Sequence, residues 1–448
     1  MARVALVARE TRKGAARPHA DRRSGRLRRQ LVEELERGGA LLSPAVREAF
    51  LAVPRECFVA DQAAREGLEA GYRNDVILTA RDERGQPTSS SSQPSMMAAM
   101  LEQLDLDEGQ RVLEVGAGTG YNAALLAELV GPEGSVVSVE LEPATARGAR
   151  RALAQHGSPV KVVVGDGRDG WRRASPYDRI VVTASAAWIP NAWFDQLADG
   201  GLLELPLRIG RSGQAQAVVT FRKERRRLRS VAVLWGGFMA LRDAAGDPAP
   251  QSAPSLSAGE RVDGRGRPLA HLSGAALRSL SAERRRRLLR LALAESRIRQ
   301  LGVRAPRQAM SLYLAIEAPH DRWVAGEPRT GVISRHWDGL ALLAGAKTFT
   351  RIESYGDPDA ERLLLDLVED WRRHGRAPVR DLTLQASFWP GRRSSTAGAG
   401  SGRRGPEVAG GTVQRRSCGS RRRPRRAAGA EVPSRRRGRG AAASLLLA

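Results

Sequence analysis

Three glycines at alternate positions, Gly116, Gly118 and Gly120, follow the apolar run Val112-Leu113-Glu114-Val115 in this 448-residue chain. Such spacing lets the backbone turn sharply from a strand into a helix and come close to a ligand. Twenty residues after Gly120, a second apolar run, Ser135 to Val139, ends in Glu140. A carboxylate there can accept both hydroxyl hydrogens of a ribose. A third run, Val160 to Val164, leads into Gly165-Asp166-Gly167, where Asp166 is placed to accept from an adenine amino group or to serve only as a turn carboxylate. The chemistry expected is binding of a nucleoside cofactor by Glu114, Gly116, Ala117, Gly118, Thr119, Gly120, Glu140, Asp166 and Gly167.

The pattern also discriminates among such cofactors. A dinucleotide site has G-x-G-x-x-G, which seats a pyrophosphate on the helix N-terminus. Here the order is E-x-G-x-G-x-G, with an acid just before the turn. That acid would repel a pyrophosphate and suits a cationic ligand. S-adenosylmethionine carries a sulfonium and an ammonium and no phosphate, and is the expected cofactor.

The elements that must position these residues are alternating strands and helices: a strand at 111–115, a helix from Tyr121 to Val130, and strands at 135–139 and 160–164. In this order they resemble class I methyltransferases. Val53-Pro-Arg-Glu-Cys-Phe-Val59, Tyr72 to Leu78 (YRNDVIL), and a hydroxyl-rich loop before Gln93-Pro94 narrow the resemblance to protein-L-isoaspartate O-methyltransferases. So do Tyr177 to Ala184, Ile189-Pro190 and Gln196 to Pro206, the last resembling that family's hairpin. The resemblance covers about residues 27–242. It implies an α/β fold, a Rossmann-like seven-stranded class I methyltransferase domain. It also implies a substrate that is a protein or peptide bearing isoaspartate.

The family's catalytic serine falls on Ser92 by the anchor Gln93-Pro94, although the run Thr88-Ser-Ser-Ser-Ser92 would allow a slip to Ser91. Ser91 stands where relatives carry an apolar residue, and Phe238-Met-Ala-Leu241 has lost the family's proline. Carboxyl methylation needs little acid–base machinery, because the acceptor is already ionised at neutral pH. Positioning supplies most of the rate, and Ser92 would orient the carboxylate without acting as a nucleophile. His156 and His374 sit near helix ends and read as dipole partners. No Cys/His ligand spacing appears, so no metal site is expected.

The net charge of +24 is unevenly spread: residues 1–30 carry +8 and residues 391–448 carry +13, which leaves +3 for the rest. Both ends are rich in Arg, Gly, Ala and Ser and are expected to be disordered, over 1–26 and 391–448. Charge blocks of this kind bind RNA or anionic surfaces only nonspecifically, and aromatic residues that would stack bases are missing among them. No specific nucleic-acid partner is therefore expected. Two cysteines, Cys57 and Cys418, fit a reducing cytoplasm. No apolar run reaches the roughly 20 residues of a membrane span, and the first 30 residues lack an apolar signal core.

A Pro-, Gly- and Ala-rich stretch, 243–268, reads as a linker to a smaller C-terminal α/β domain at 269–390. In it, Ala276–Leu301 reads as an amphipathic helix with a solvated run Arg284–Arg287, and Asp359–His374 as a second helix. Met310–Ile316, Gly331–Ser334 and Asp381–Phe388 read as strands. Long relatives with such an extension resemble actinobacterial enzymes that esterify an aspartate in a ribosomally made modified peptide, which then closes to an aspartimide. That is the alternative to isoaspartate methylation; a further alternative is an RNA- or S-adenosylmethionine-binding protein without carboxyl methylation.

Overall fold

The computed structural model describes residues 18–83, 85, 87–209, 215–242, 255–257, 271–273, 277, 280–319, 322–326, 329–345, 348–373 and 385–387. The Arg-rich tail 391–448, residues 1–17 and most of the linker 243–268 lie outside them.

In chain order the first part of the molecule runs α1 (Pro18–Arg37), α2 (Pro44–Ala52), α3 (Ala60–Glu66), α4 (Leu68–Gly71), β1 (Ile77–Arg81), β2 (Pro87–Ser91), α5 (Pro94–Leu104), β3 (Arg111–Val115) and α6 (Tyr121–Val130). It continues through β4 (Ser135–Glu140), α7 (Pro143–His156), β5 (Val160–Val164), β6 (Tyr177–Val182), α8 (Asn191–Gln196), β7 (Leu197–Ile209), β8 (Ala215–Glu224) and β9 (Arg227–Trp235). Helices α2, α5 and α7 each start on a proline, whose fixed φ and missing N–H suit a first turn.

The chain divides into two units. The first comprises Met1–Gly109, Ala117–Val136 and Glu142–Val162; the second comprises Gln110–Gly116, Val137–Leu141 and Val163–Ala448. In the first unit, α1 begins inside the segment expected to be disordered, 1–26. Local charge alone argues against order there, but tertiary partners supply it. Ser24 Oγ and Tyr72 Oη both donate to the Glu56 carboxylate, while Arg28 donates to the Leu51 carbonyl at 2.7 Å and to Ser24 Oγ at 3.1 Å. Antiparallel β1 and β2 form a separate two-stranded sheet, with Ile77 opposite Ser91.

The second unit contains most of an eight-stranded sheet. Its order is β17-β9-β8-β7-β6-β3-β4-β5, where β17 is Gln385–Ser387. Seven strands thus come from the segment resembling methyltransferases, and the eighth comes from the far end of the chain. β3 pairs parallel with β6, and β6 with β7; β7/β8, β8/β9 and β9/β17 are antiparallel. The chain builds β3, β4 and β5 outward on one side, then crosses to place β6 on the other side of β3. A crevice at the carboxyl ends of strands at such a switch point is where ligands bind in open α/β sheets.

Past β9 come β10 (Ser255–Ser257), β11 (His271–Ser273), α9 (Ala282–Leu293), β12 (Arg297–Pro306), α10 (Arg307–Glu317), β13 (Trp323–Gly326), β14 (Arg329–Ile333), β15 (Gly339–Ala344), β16 (Thr348–Gly356) and α11 (Asp359–Arg373). These strands form an antiparallel seven-stranded sheet of order β10-β11-β13-β14-β15-β16-β12.

Three expectations are corrected here. Met310–Ile316 is helical, within α10, and not a strand. Its alternating apolar pattern arises because α10 is buried around most of its girth, packing on β7 and β8 as well as on β12, β13, β14 and α11. The helix expected at 276–301 is confined to α9, and the chain turns into edge strand β12 at Arg297. Gln196–Pro206 is not a hairpin: from Leu197 it belongs to one 13-residue strand, β7, whose hairpin partner is β8. The C-terminal segment has a buried cluster of its own, with Leu288, Val324, Ile333, Leu340 and Tyr355, and it also contributes to the core of the larger sheet. Met310, Leu312 and Leu314 belong to the same buried cluster as Leu203, Val219 and Phe221 of the larger sheet.

Candidate active site

The cofactor residues expected in the second unit converge on the carboxyl ends of β3, β4 and β5. Glu114 is fully buried in β3, and its carboxylate accepts from Ser138 Oγ on β4. Glu140 closes β4, and its carbonyl accepts from Gly165 N at 3.0 Å. The Gly116 N–H donates to the Val139 carbonyl at 2.8 Å, so the start of the turn is tied to the neighbouring strand. Gly116 has φ +98, and a Cβ there would lie 2.5 Å from Thr183 Oγ1. Thr183 follows β6 and donates from that hydroxyl to the Gly116 carbonyl at 2.7 Å. The contact spans the switch point between β3 and β6. Thr183 lies in the Tyr177–Ala184 motif, and the parallel pairing of β6 with β3 brings it to the turn.

Asp166 caps a short turn at Gly167–Asp169, accepting from the Arg168 N–H at 2.9 Å. Its two oxygens also receive Arg168 Nε and Nη2, the latter at 2.6 Å. Arg168 thus fixes the plane of the Asp166 carboxyl at this turn. Gly167 is buried, and a Cβ on it would meet Val115 Cγ1 at 2.4 Å. Its carbonyl accepts from Trp193 Nε1 at 2.8 Å.

In the first unit, Ala117 is buried, and Gly118 and Gly120 take φ +51 and +86. A Cβ on Gly118 would come within 3.1 Å of the Ser90 carbonyl, so the glycine turn runs directly against the serine strand. Thr119 Oγ1 accepts from Tyr121 N at 3.4 Å. A cavity of about 290 Å³ opens beside this turn, lined among others by Phe58, Thr79, Ser89, Gly118, Thr119 and Ala149. That volume is at the lower end of small-molecule sites.

The serine run is sorted by strand alternation. Ser89 and Ser91 of β2 are buried, whereas Ser90 and Ser92 are half-buried. Ser91 has its hydroxyl satisfied by Arg55 Nη2 at 3.3 Å. Arg55 is the central residue that sequence reasoning missed, although it stands in the Val53-Pro-Arg motif. It is fully buried and donates to five acceptors: the carbonyls of Gly71, Arg73, Asp75 and Ser92, and Ser91 Oγ. Burial pushes its pKa down, opposed by the nearby Tyr121, Tyr72 and Asp75. Its guanidinium also lies 5.8 Å from the Tyr121 ring centroid. Asn74 adds a second tie: its side-chain oxygen accepts from Ser95 N at 3.0 Å, at the start of α5, and its carbonyl accepts from Gln93 Nε2 at 3.0 Å. Three sequence motifs that lie apart in the chain are thus one structural unit around Ser92.

Among the described residues no cluster of His, Cys, Asp or Glu could hold a metal ion, and no helix is long and apolar enough to cross a membrane.

A family model described as protein-L-isoaspartate(D-aspartate) O-methyltransferase matches residues 26–238. The protein-L-isoaspartate O-methyltransferase of Hyperthermus butylicus is 43% identical over 189 residues, covering 40% of this chain and 74% of that protein. The enzyme of the same name from Pyrobaculum neutrophilum is 40% identical over 219 residues, covering 48% of this chain and 98% of its own. A solved protein-L-isoaspartate O-methyltransferase aligns with 81% of this chain and 96% of its own, at 28% identity and a TM-score of 0.46.

Proposed function

The chain belongs to the protein-L-isoaspartate(D-aspartate) O-methyltransferase family, and from that premise we propose that it methylates the carboxylate of isoaspartyl residues in proteins or peptides. S-adenosylmethionine is the methyl donor and supplies a methyl group activated by a sulfonium. The residues at the switch point fit it. The turn Gly116-Ala117-Gly118-Thr119-Gly120 has no room for a Cβ at its glycines, which pack against Thr183 Oγ1, the Ser90 carbonyl and Leu153. Glu140 ends β4, in the position of a ribose acceptor. Asp166 and Gly167 follow the end of β5 and would meet the adenine, and the buried Glu114 brings a carboxyl group beside the turn.

Ser92 orients the acceptor carboxylate with its hydroxyl, and the attacking oxygen needs no base because it is already ionised. The burial of Ser91 Oγ against Arg55 supports Ser92, not Ser91, as the orienting residue. Arg55 is a positioning residue: it fixes the backbone of the serine loop through the Ser92 carbonyl. Positioning of this kind carries reactions whose nucleophile is already formed. The observation that carries the proposal is the 40% identity over 98% of the Pyrobaculum neutrophilum enzyme. A cytoplasmic setting is proposed with it, in keeping with the free thiol of Cys57.

The test is methyl transfer from labelled S-adenosylmethionine to matched peptides carrying isoaspartate or aspartate at one position. Labelling of the isoaspartyl peptide alone is expected. Labelling of the aspartyl peptide alone, or of neither despite cofactor binding, would overturn the assignment.

A further inference from the structure

The segment Ala282 to Pro306, which forms α9 and β12, carries eight arginines against two glutamates, a net +6. The whole of 31–390 carries only +3, so the rest of that stretch is net negative and its positive charge is concentrated here. Helix α9 turns Leu288 and Ala292 into the cluster that holds Leu340 and Tyr355, and leaves Arg284, Arg286, Arg287 and Arg290 exposed. Leu293, its last residue, is 47% exposed. The end of the helix meets the start of β12 at Gly356. Leu291 Cδ2 would lie 3.1 Å from a Cβ there, and the Gly356 carbonyl accepts from Arg297 Nη2 at 2.8 Å.

Strand β12 is an outer strand of its sheet. Among the described residues it pairs with β16 alone, Arg297 to Gln300 facing Ser354 to Arg351, so its other edge of N–H and C=O groups is open. A register shift and Gly302 at φ +62 then end the regular stretch. Open edges of this kind accept a further strand. Strand alternation places Arg297 and Arg299 on one face and Ile298 and Gln300 on the other. Ile298 is 61% exposed, and the Arg299 side chain is 60% exposed while reaching Glu361 at 3.6 Å.

We propose that the open edge of β12, flanked by the arginines of α9, binds an extended protein segment in which acidic and apolar residues alternate. Charge complementarity selects this occupant. A second copy would set the arginines of one β12 beside those of the other, and both ends of this chain are basic, at +8 and +13. Like charges directly opposite destabilise a strand pair. A nucleic acid would match the charge, but it cannot complete a strand or cover Ile298 and Leu293. Nor does any aromatic residue between 282 and 306 offer a base a stacking face. An acidic strand meets both arginines, and the apolar residues between its acids cover Ile298. The surface does not depend on the methyl-transfer reading.

A fluorescein-labelled peptide of four Glu-Val repeats is titrated into the full-length protein and followed by anisotropy. Two controls accompany it: the same residues with glutamates and valines in separate blocks, and the repeat peptide N-methylated at alternate residues. The alternating peptide is expected to bind about tenfold more tightly than either control, because it alone can pair its backbone and alternate its side chains. The basic ends of the chain attract all three alike and cannot produce that difference. Arg299→Glu and Ile298→Glu should each weaken binding about five- to tenfold, and Ile298→Val should leave it unchanged. Thermal melts show whether each variant is folded; should either fail, Arg290→Glu on the exposed face of α9 gives the same test. Equal binding of the three peptides, or binding untouched by these variants, would overturn the proposal. Single-stranded RNA that binds more tightly than the peptide and loses that affinity in Arg299→Glu would also overturn it and assign the surface to nucleic acid. A dimer in light scattering that Ile298→Glu dissociates would assign it instead to self-association. Methyl transfer to a small isoaspartyl peptide without acidic neighbours should be unchanged in the variants, so the surface and the reaction fail separately.

Discussion

Arg55 Nη2 donates to the backbone carbonyl of Ser92 across 3.1 Å, from a guanidinium that is fully buried. The residue proposed to orient the acceptor is thus held by an arginine 37 positions earlier in the chain. Arg55→Met would strip four carbonyls and a hydroxyl of their donor, and breaking such a network costs about 2–4 kcal/mol. Arg55→Lys keeps the charge but loses the planar fork and is expected to recover only part of it. Denaturant unfolding checks the stability. At temperatures where both variants remain folded, kcat should fall more than cofactor affinity.

Ser92→Ala removes one hydroxyl from a half-buried loop and leaves Arg55 and its acceptors in place. Methyl transfer is expected to drop about 10²-fold, the scale on which misplacing a reacting group is felt. Affinity for S-adenosylhomocysteine, read by calorimetry, should stay within about twofold. The complementary Ser91→Ala should cost stability, because it deprives Arg55 of one acceptor, with kcat nearly preserved.

Gly116→Ala combines a left-handed backbone with a Cβ 2.5 Å from Thr183 Oγ1. Strain of about 1–3 kcal/mol at such a position has to be absorbed by the turn itself. Cofactor affinity should fall about tenfold or more. Adding Thr183→Ala relieves the clash but not the φ penalty, so only partial recovery is expected. Full recovery would show that φ +98 is not required.

Glu204 lies inside β7, wholly buried, with Thr220 Oγ1 donating to one carboxyl oxygen at 3.1 Å. Burial raises its pKa well above the usual 4.5. Above pH 4.5 the unfolded chain releases this proton while the folded protein keeps it, so folding binds a proton and stability falls as pH rises. The loss continues up to the raised folded pKa, with a slope approaching about 1.4 kcal/mol per pH unit. Glu204→Gln keeps a polar partner for Thr220 without the titration. It should be more stable than the parent at pH 8, with the gain shrinking toward pH 4; thermal melts across that range decide it.

Ending the chain at Arg242 would remove α10 and β17. It would expose the face of β7 and β8 that Met310, Leu312 and Leu314 cover, and free the edge of β9. Leucine-sized groups stabilise by about 1.5–3 kcal/mol each on burial, and an open edge strand invites aggregation. The truncated chain is expected to be largely insoluble. A soluble monomer with the parent's melting temperature would show that the C-terminal segment is a true appendage.

What the sequence determined by itself was the glycine turn between β3 and α6. Alternate glycines, short apolar runs and terminal acids are local signals, because the backbone geometry they require is set within a few residues. For the same reason β3, β4, β5, α6 and α11 lie close to where their periodicity puts them. Tertiary structure decided the rest. Arg55 serves Ser92 through carbonyls, which carry no sequence signature, on segments 16 to 37 residues away. Met310–Ile316 alternates like a strand and is a helix, because burial around most of its surface erases the polar face that would mark its period. The N-terminal segment looks too basic to order, and it forms α1 because Glu56 and Tyr72 receive Ser24 and Arg28. A charge or an apolar stripe is written in the chain, but its partner is chosen only when the fold closes.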